Sequence, residues 1–140
     1  MPQPEVFADT SFWLARYFRR DQWHEAAVRA ELRLGQPLYL LTTQEVLIEF
    51  LASVAGNRYM RAEGVRAVEE IQNDPLITIT PQNSDSFSEG FRLYRNRMDK
   101  GYSLVDCISM NTMDQYVITR ILTNDRHFEQ EGRYEALMRQ

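Results

Sequence analysis

A chain of 140 residues with 44% apolar and 26% charged side chains, six glycines and five prolines has the makings of one packed domain, residues 1–140, and lacks the composition of a disordered or fibrous protein. Its 16 basic and 20 acidic residues leave a net charge of −4, which argues against a surface that is basic throughout, although cations gathered on a few carboxylates would leave the remainder neutral. No apolar run approaches the roughly 18 residues needed to span a bilayer, the start has no cationic leader, and the lone Cys107 can build neither an internal disulfide nor a zinc site. The expectation is a soluble, cytoplasmic protein with no membrane role.

Taken in chain order, Glu5 to Ala8 reads as a short buried strand, followed by a helix through Phe12 to Phe18 for which Thr10 or Ser11 can serve as cap. Asp21 can cap a second helix from Gln22 to Leu34, closed by Gly35. Leu38 to Leu41 is a second strand, after which Thr42 or Thr43 starts a helix reaching Gly56. A helix from Tyr59 to Gln72 stops before Pro75, and Leu76 to Thr80 is a β-branched strand halted by Pro81. Asn83 or Ser84 caps a helix running to Met98. Ser103 caps the next, with Asp106 three residues on as a short-armed capping box. Tyr116 to Leu122 is expected as a fourth strand and Tyr134 to Met138 as a short last one. Strands separated by helices need crossover connections, so the fold class is α/β: a largely parallel central sheet of four to five strands covered by helices on both faces.

Ligands of such sheets bind beyond the carboxyl ends of the strands, and Asp9 and Asp125 each follow a strand, so both carboxylates project from one edge. Glu49 lies at the margin of an apolar helical stripe, one turn after Glu45, and Asp106 lies in a first helical turn. Each acid alone has an ordinary explanation as a helix cap, a first-turn carboxylate or a solvated face.

Together, four segments in order resemble the PIN-domain ribonucleases, and most closely the VapC-type toxins of bacterial toxin–antitoxin modules. Val6-Phe7-Ala8-Asp9-Thr10-Ser11 is similar to the opening strand with the first acid of that family, and Leu41 to Glu49 to the helix with the second. Tyr102-Ser103-Leu104-Val105-Asp106 matches the Ser-x-x-Asp helix opening, and Thr123-Asn124-Asp125 the Thr-x-Asp turn. The resemblance spans nearly the whole chain and implies a PIN-like fold and a metal-dependent endoribonuclease that hydrolyses RNA phosphodiester bonds. It further implies Mg²⁺ or Mn²⁺ as cofactor, with Asp9 and Asp106 as principal ligands, Glu49 and Asp125 completing the set, and Thr10, Ser103 and Thr123 orienting carboxylates through their hydroxyls. Its partners would be an RNA substrate, a cognate antitoxin and a second copy of the chain in a homodimer.

Other polar residues are weaker candidates. Cys107 and His127 neighbour the acids but lack a third group to make a nucleophilic site, and Cys107 reads as a buried thiol. His24, beside Trp23 in an amphipathic helix, reads as a surface or boundary residue. Arg16, Arg19, Arg20 and Arg126 are candidate phosphate contacts. The rings of Phe12, Trp13, Tyr17, Phe18 and Trp23 exceed what so small a core is expected to cover, so part of them is expected to form an exposed interface for a dimer or an antitoxin. Two other readings compete: a PIN-like module that binds without catalysis, and a phospho-acceptor receiver domain. The latter needs a lysine at the end of a late strand, whereas Lys100, the sole lysine, precedes Gly101 between two helices.

Overall fold

The computed structural model describes residues 2–140. Five parallel strands, β1 (Val6–Ala8), β2 (Leu40–Thr43), β3 (Ile77–Thr80), β4 (Arg120–Leu122) and β5 (Glu135–Ala136), form one sheet in the order β3-β2-β1-β4-β5. Seven α-helices connect them: α1 (Thr10–Tyr17), α2 (His24–Leu34), α3 (Gln44–Ser53), α4 (Arg58–Asn73), α5 (Ser84–Asn96), α6 (Leu104–Gln115) and α7 (Arg126–Gln130). Successive strand residues point to opposite faces, and all three residues of β1 are fully buried, so both faces of the sheet centre are covered, as the sequence predicts. Phe7, Leu41, Phe50, Met110, Met113, Ile121 and Phe128 fill the core. None of the helices is long and apolar enough to cross a membrane.

The order of elements agrees with the sequence reading, while several boundaries and caps differ. The cap position of α1 is Asp9, not Thr10 or Ser11. Helix α2 starts at His24 because Asp21 spends its carboxylate on the backbone N–H of Trp23 in a local turn. The imidazole of His24 meets the carbonyl of Ala15 at 2.7 Å, which ties the start of α2 to α1. Thr43, Asn83 and Ser103 cap their helices as expected, the last two in full capping boxes.

The segment from Tyr116 is the largest departure. Helix α6 runs on to Gln115 and ends in a Schellman arrangement: Ile118 N–H donates to the Met113 carbonyl and Val117 N–H to that of Asp114. This leaves Val117 at φ 56° and only Arg120–Leu122 for β4. Helices α5 and α6 pack closely at Gly90, where an added Cβ would stand 2.5 Å from Ile108 Cγ1. The aromatic expectation for the early helices holds for only part of the five rings. Phe12 and Trp13 are buried, and Tyr17, Phe18 and Trp23 lie half-buried against the core, because α1 packs against both α2 and α3. A longer exposed apolar stripe lies on α5, formed by Phe87, Phe91 and Tyr94 at helical spacing and followed by the exposed Met98 in the turn just after the helix.

Candidate active site

Strand β1 has β2 on one side and β4 on the other, so the chain's crossovers leave it in opposite directions and open a crevice at the carboxyl ends of β1 and β4. Asp9 directly follows β1, and Thr123, Asn124 and Asp125 follow β4. Glu49 reaches the same place from the middle of α3, and Asp106 from the first turn of α6. All four acids line one open cavity of about 310 Å³, together with Thr10, Ser11, Ser103 and His127.

Asp9 sits at the cap position of α1 yet makes no capping hydrogen bond. Its Oδ2 accepts from Thr123 Oγ1 at 2.8 Å, and its Oδ1 is buried without any hydrogen-bond partner. Burial pushes the Asp9 carboxyl up to about 7, with further help from the charge of Asp106 and then Glu49. Asp106 is also held above its ordinary value, chiefly by burial and then by Asp125, against the stabilising bonds from Ser103 N–H at 3.0 Å and His127 Nδ1 at 3.1 Å. Two buried, mutually repelling carboxylates with an unanswered oxygen fit a hard divalent cation, which prefers oxygen donors and removes the repulsion.

Hydroxyls organise the rim. Thr10 Oγ1 donates to Glu49 Oε1 at 2.5 Å, and Thr123 Oγ1 gives its one hydrogen to Asp9 while accepting the Asp125 N–H at 3.0 Å. The 3.2 Å contact between Ser11 and Thr123 therefore has Ser11 as donor, and Ser11 Oγ in turn accepts the N–H of Asn124 at 3.1 Å. Ser11, considered from sequence only as a cap, thus ties the turn after β1 to the turn after β4. Ser103 differs from expectation, since its hydroxyl accepts the Asp106 N–H and only its backbone N–H donates to the carboxylate. Asp125 caps α7 through the N–H of His127.

The imidazole of His127 is the residue that sequence reasoning set aside. Its Nδ1 lies 3.1 Å from Asp106 Oδ2 and 3.2 Å from Asp125 Oδ1. The available signal was the i,i+2 spacing to Asp125, which in a cap turn returns the side chain toward the acid. Cys107 is fully buried and its thiol is pushed up to about 11 by burial and by Asp106, so it is no nucleophile at neutral pH. Among the candidate arginines, Arg16 is taken by Glu31 at 2.9 Å, whereas Arg19 and Arg20 line a groove that adjoins the acidic cavity at Leu14. Arg126 is exposed beside it.

A family profile described as the PIN domain matches residues 6–133, and the chain belongs to that family. Its fold is similar to that of VapC20 of Mycobacterium tuberculosis, described as a sarcin-ricin loop cleaving toxin. The TM-score is 0.82 at 24% identity, over 94% of this chain and 98% of that one. It is also similar to FitAcB from Neisseria gonorrhoeae, with a TM-score of 0.64 at 17% identity, over 94% and 96% of the two chains. No curated protein sequence matches.

Proposed function

We propose that the protein is a metal-dependent endoribonuclease, the toxin of a toxin–antitoxin pair, acting in the cytoplasm on RNA. The observation that carries this reading is the unpartnered, buried Asp9 oxygen in a cavity shared with Glu49, Asp106 and Asp125. Membership of the PIN family and the likeness to a toxin described as cleaving the sarcin-ricin loop support the substrate class.

Asp9 and Asp106 would hold a Mg²⁺ or Mn²⁺ ion, with Glu49 and Asp125 completing the oxygen set. Held there, a divalent cation would supply positive charge for the scissile phosphate and a more acidic attacking water. The chain's own part is to fix these oxygens. Thr123 holds Asp9, Thr10 holds Glu49, and the Ser103 N–H holds Asp106 in place before substrate arrives. Arg19 and Arg20 in the adjoining groove and the exposed Arg126 would meet flanking phosphates. An antitoxin segment seated in the groove lined by Tyr17, Phe18 and Tyr59 would cover Arg19 and Arg20 and bring a basic side chain to the acids. The chain pairs with a second copy through the exposed stripe on α5.

The test is cleavage of single-stranded RNA by metal-stripped protein with Mg²⁺ or Mn²⁺ restored. Asp9→Asn and Asp106→Asn should each abolish divalent-dependent cleavage, as each removes a formal charge at nearly constant volume. Undiminished cleavage in both would refute the reading.

A further inference from the structure

The His127 ring is fixed from behind. Its Nε2 edge rests against Gly101, where even a Cβ would approach to 3.3 Å, and its face packs on Tyr102 with centroids 5.4 Å apart. The Asx turn at Asp125 holds its backbone, since the His127 N–H donates to Asp125 Oδ1 at 2.9 Å. The ring presents Nδ1 to the carboxylates of the cavity, and that atom faces oxygens from two separate elements.

The three donor atoms of Asp106, Asp125 and His127 lie within 4.8 Å of one another, and the two N···O separations are 3.1 and 3.2 Å. Adjacent ligands of an octahedral cation with bonds of about 2.1 Å stand about 3.0 Å apart, so the arrangement is close to two edges of such an octahedron. The independent sign of a cation in the same cavity is Asp9 Oδ1, nine-tenths buried and without a partner. Imidazole nitrogen is a poor exchange for oxygen on Mg²⁺ but a favourable one on first-row transition metals.

We propose that His127 Nδ1 is a direct ligand of the divalent cation at the Asp106–Asp125 end of the cavity and biases the site toward Mn²⁺ over Mg²⁺. This rests on the metal-dependent reading above and adds a donor and a selectivity to it. A hydrogen bond from His127 that merely orients the two carboxylates would help both cations alike, whereas a nitrogen ligand helps Mn²⁺ selectively.

The experiment is calorimetric titration of metal-stripped protein with Mn²⁺ and with Mg²⁺, joined to pulsed electron paramagnetic resonance of the Mn²⁺ complex. Wild-type protein should show coupling of Mn²⁺ to an imidazole nitrogen. His127→Phe, which keeps a ring against Tyr102, should lose that coupling and about tenfold in Mn²⁺ affinity, with Mg²⁺ affinity changed less than about threefold. His127→Gln should behave alike and serves if the Phe variant does not fold. Absence of nitrogen coupling in the wild type, or equal losses for both cations, overturns the assignment. Asp106→Asn separates the two claims. If it loses Mn²⁺ binding while the His127 variants do not, only the nitrogen ligand falls; if it binds Mn²⁺ as the wild type does, or the wild type binds none, the four-acid site itself falls.

Discussion

An aspartate at the residue before a helix ordinarily spends its carboxylate on the first free N–H groups, and Asp9 does not. Its charge is instead held in a buried cavity beside Asp106, and the consequence is a measurable pH dependence of the metal-free protein. The ordinary carboxyl value of 3.8 rises to about 7 on folding. Below 3.8 both states hold the proton; between 3.8 and 7 only the folded state does, so the Asp9 contribution to stability declines as pH climbs through that window and is fully lost above it. Asp9→Asn removes the effect. In the absence of divalent ions its melting temperature should exceed that of wild type by an amount that grows from pH 4 to pH 7 and then levels off. A difference that is flat across this range would contradict the raised carboxyl. At this scale the acids were legible because strand ends and helix starts can be read from turn and cap residues. Two links were not: Ser11 and His127 act through a 113-residue and a 21-residue separation, and spacing along a chain carries no such distance.

Helix starts proved easier to read than helix ends. Ser103 with Asp106 and Asn83 with Ser86 are local devices, complete within four residues, and the structure contains both. The end of α6 is different. Tyr116-Val117-Ile118 has the β-branched and aromatic make-up of a strand, but the Met113 and Asp114 carbonyls draw it into a helix-closing turn, and Val117 is carried to a positive φ with its side chain exposed. A β-branched residue in that conformation stores strain that glycine would not. Val117→Gly should raise stability by about 1 kcal/mol, net of the greater freedom of glycine in the unfolded chain, and leave RNA cleavage unchanged. Denaturant unfolding followed by circular dichroism measures it, and a loss of stability would show that Val117 makes a contact the strain argument ignores. The burial of Phe12 and Trp13 was likewise beyond a local reading, since it depends on α2 and α3 closing over α1 from either side.

At the scale of the whole molecule, the parallel sheet and its helical cover follow from alternating buried strands and amphipathic helices, and that much was readable in the sequence. Which helix face stays open was not. Phe87, Phe91 and Tyr94 face solvent because α5 turns its Gly90 side onto α6, an approach that only the packed structure reveals. With Phe91 near the middle of that stripe, Phe91→Glu should convert a dimer into a monomer without loss of melting temperature beyond a few degrees. Light scattering across a tenfold concentration range checks it; an unchanged mass would place the dimer contact elsewhere, and a wild-type monomer would remove the dimer altogether. The bond from Thr123 to Asp9 has a further consequence, because it joins residues 114 positions apart. Protein synthesis delivers the chain from its N-terminus, so Asp9, Glu49 and Asp106 emerge with no β4 to brace Asp9 and no Asp125 beside Asp106. On the proposed activity, a chain whose β4 has yet to emerge carries an unassembled site, so its chemistry waits on the segment from Arg120 to Asp125.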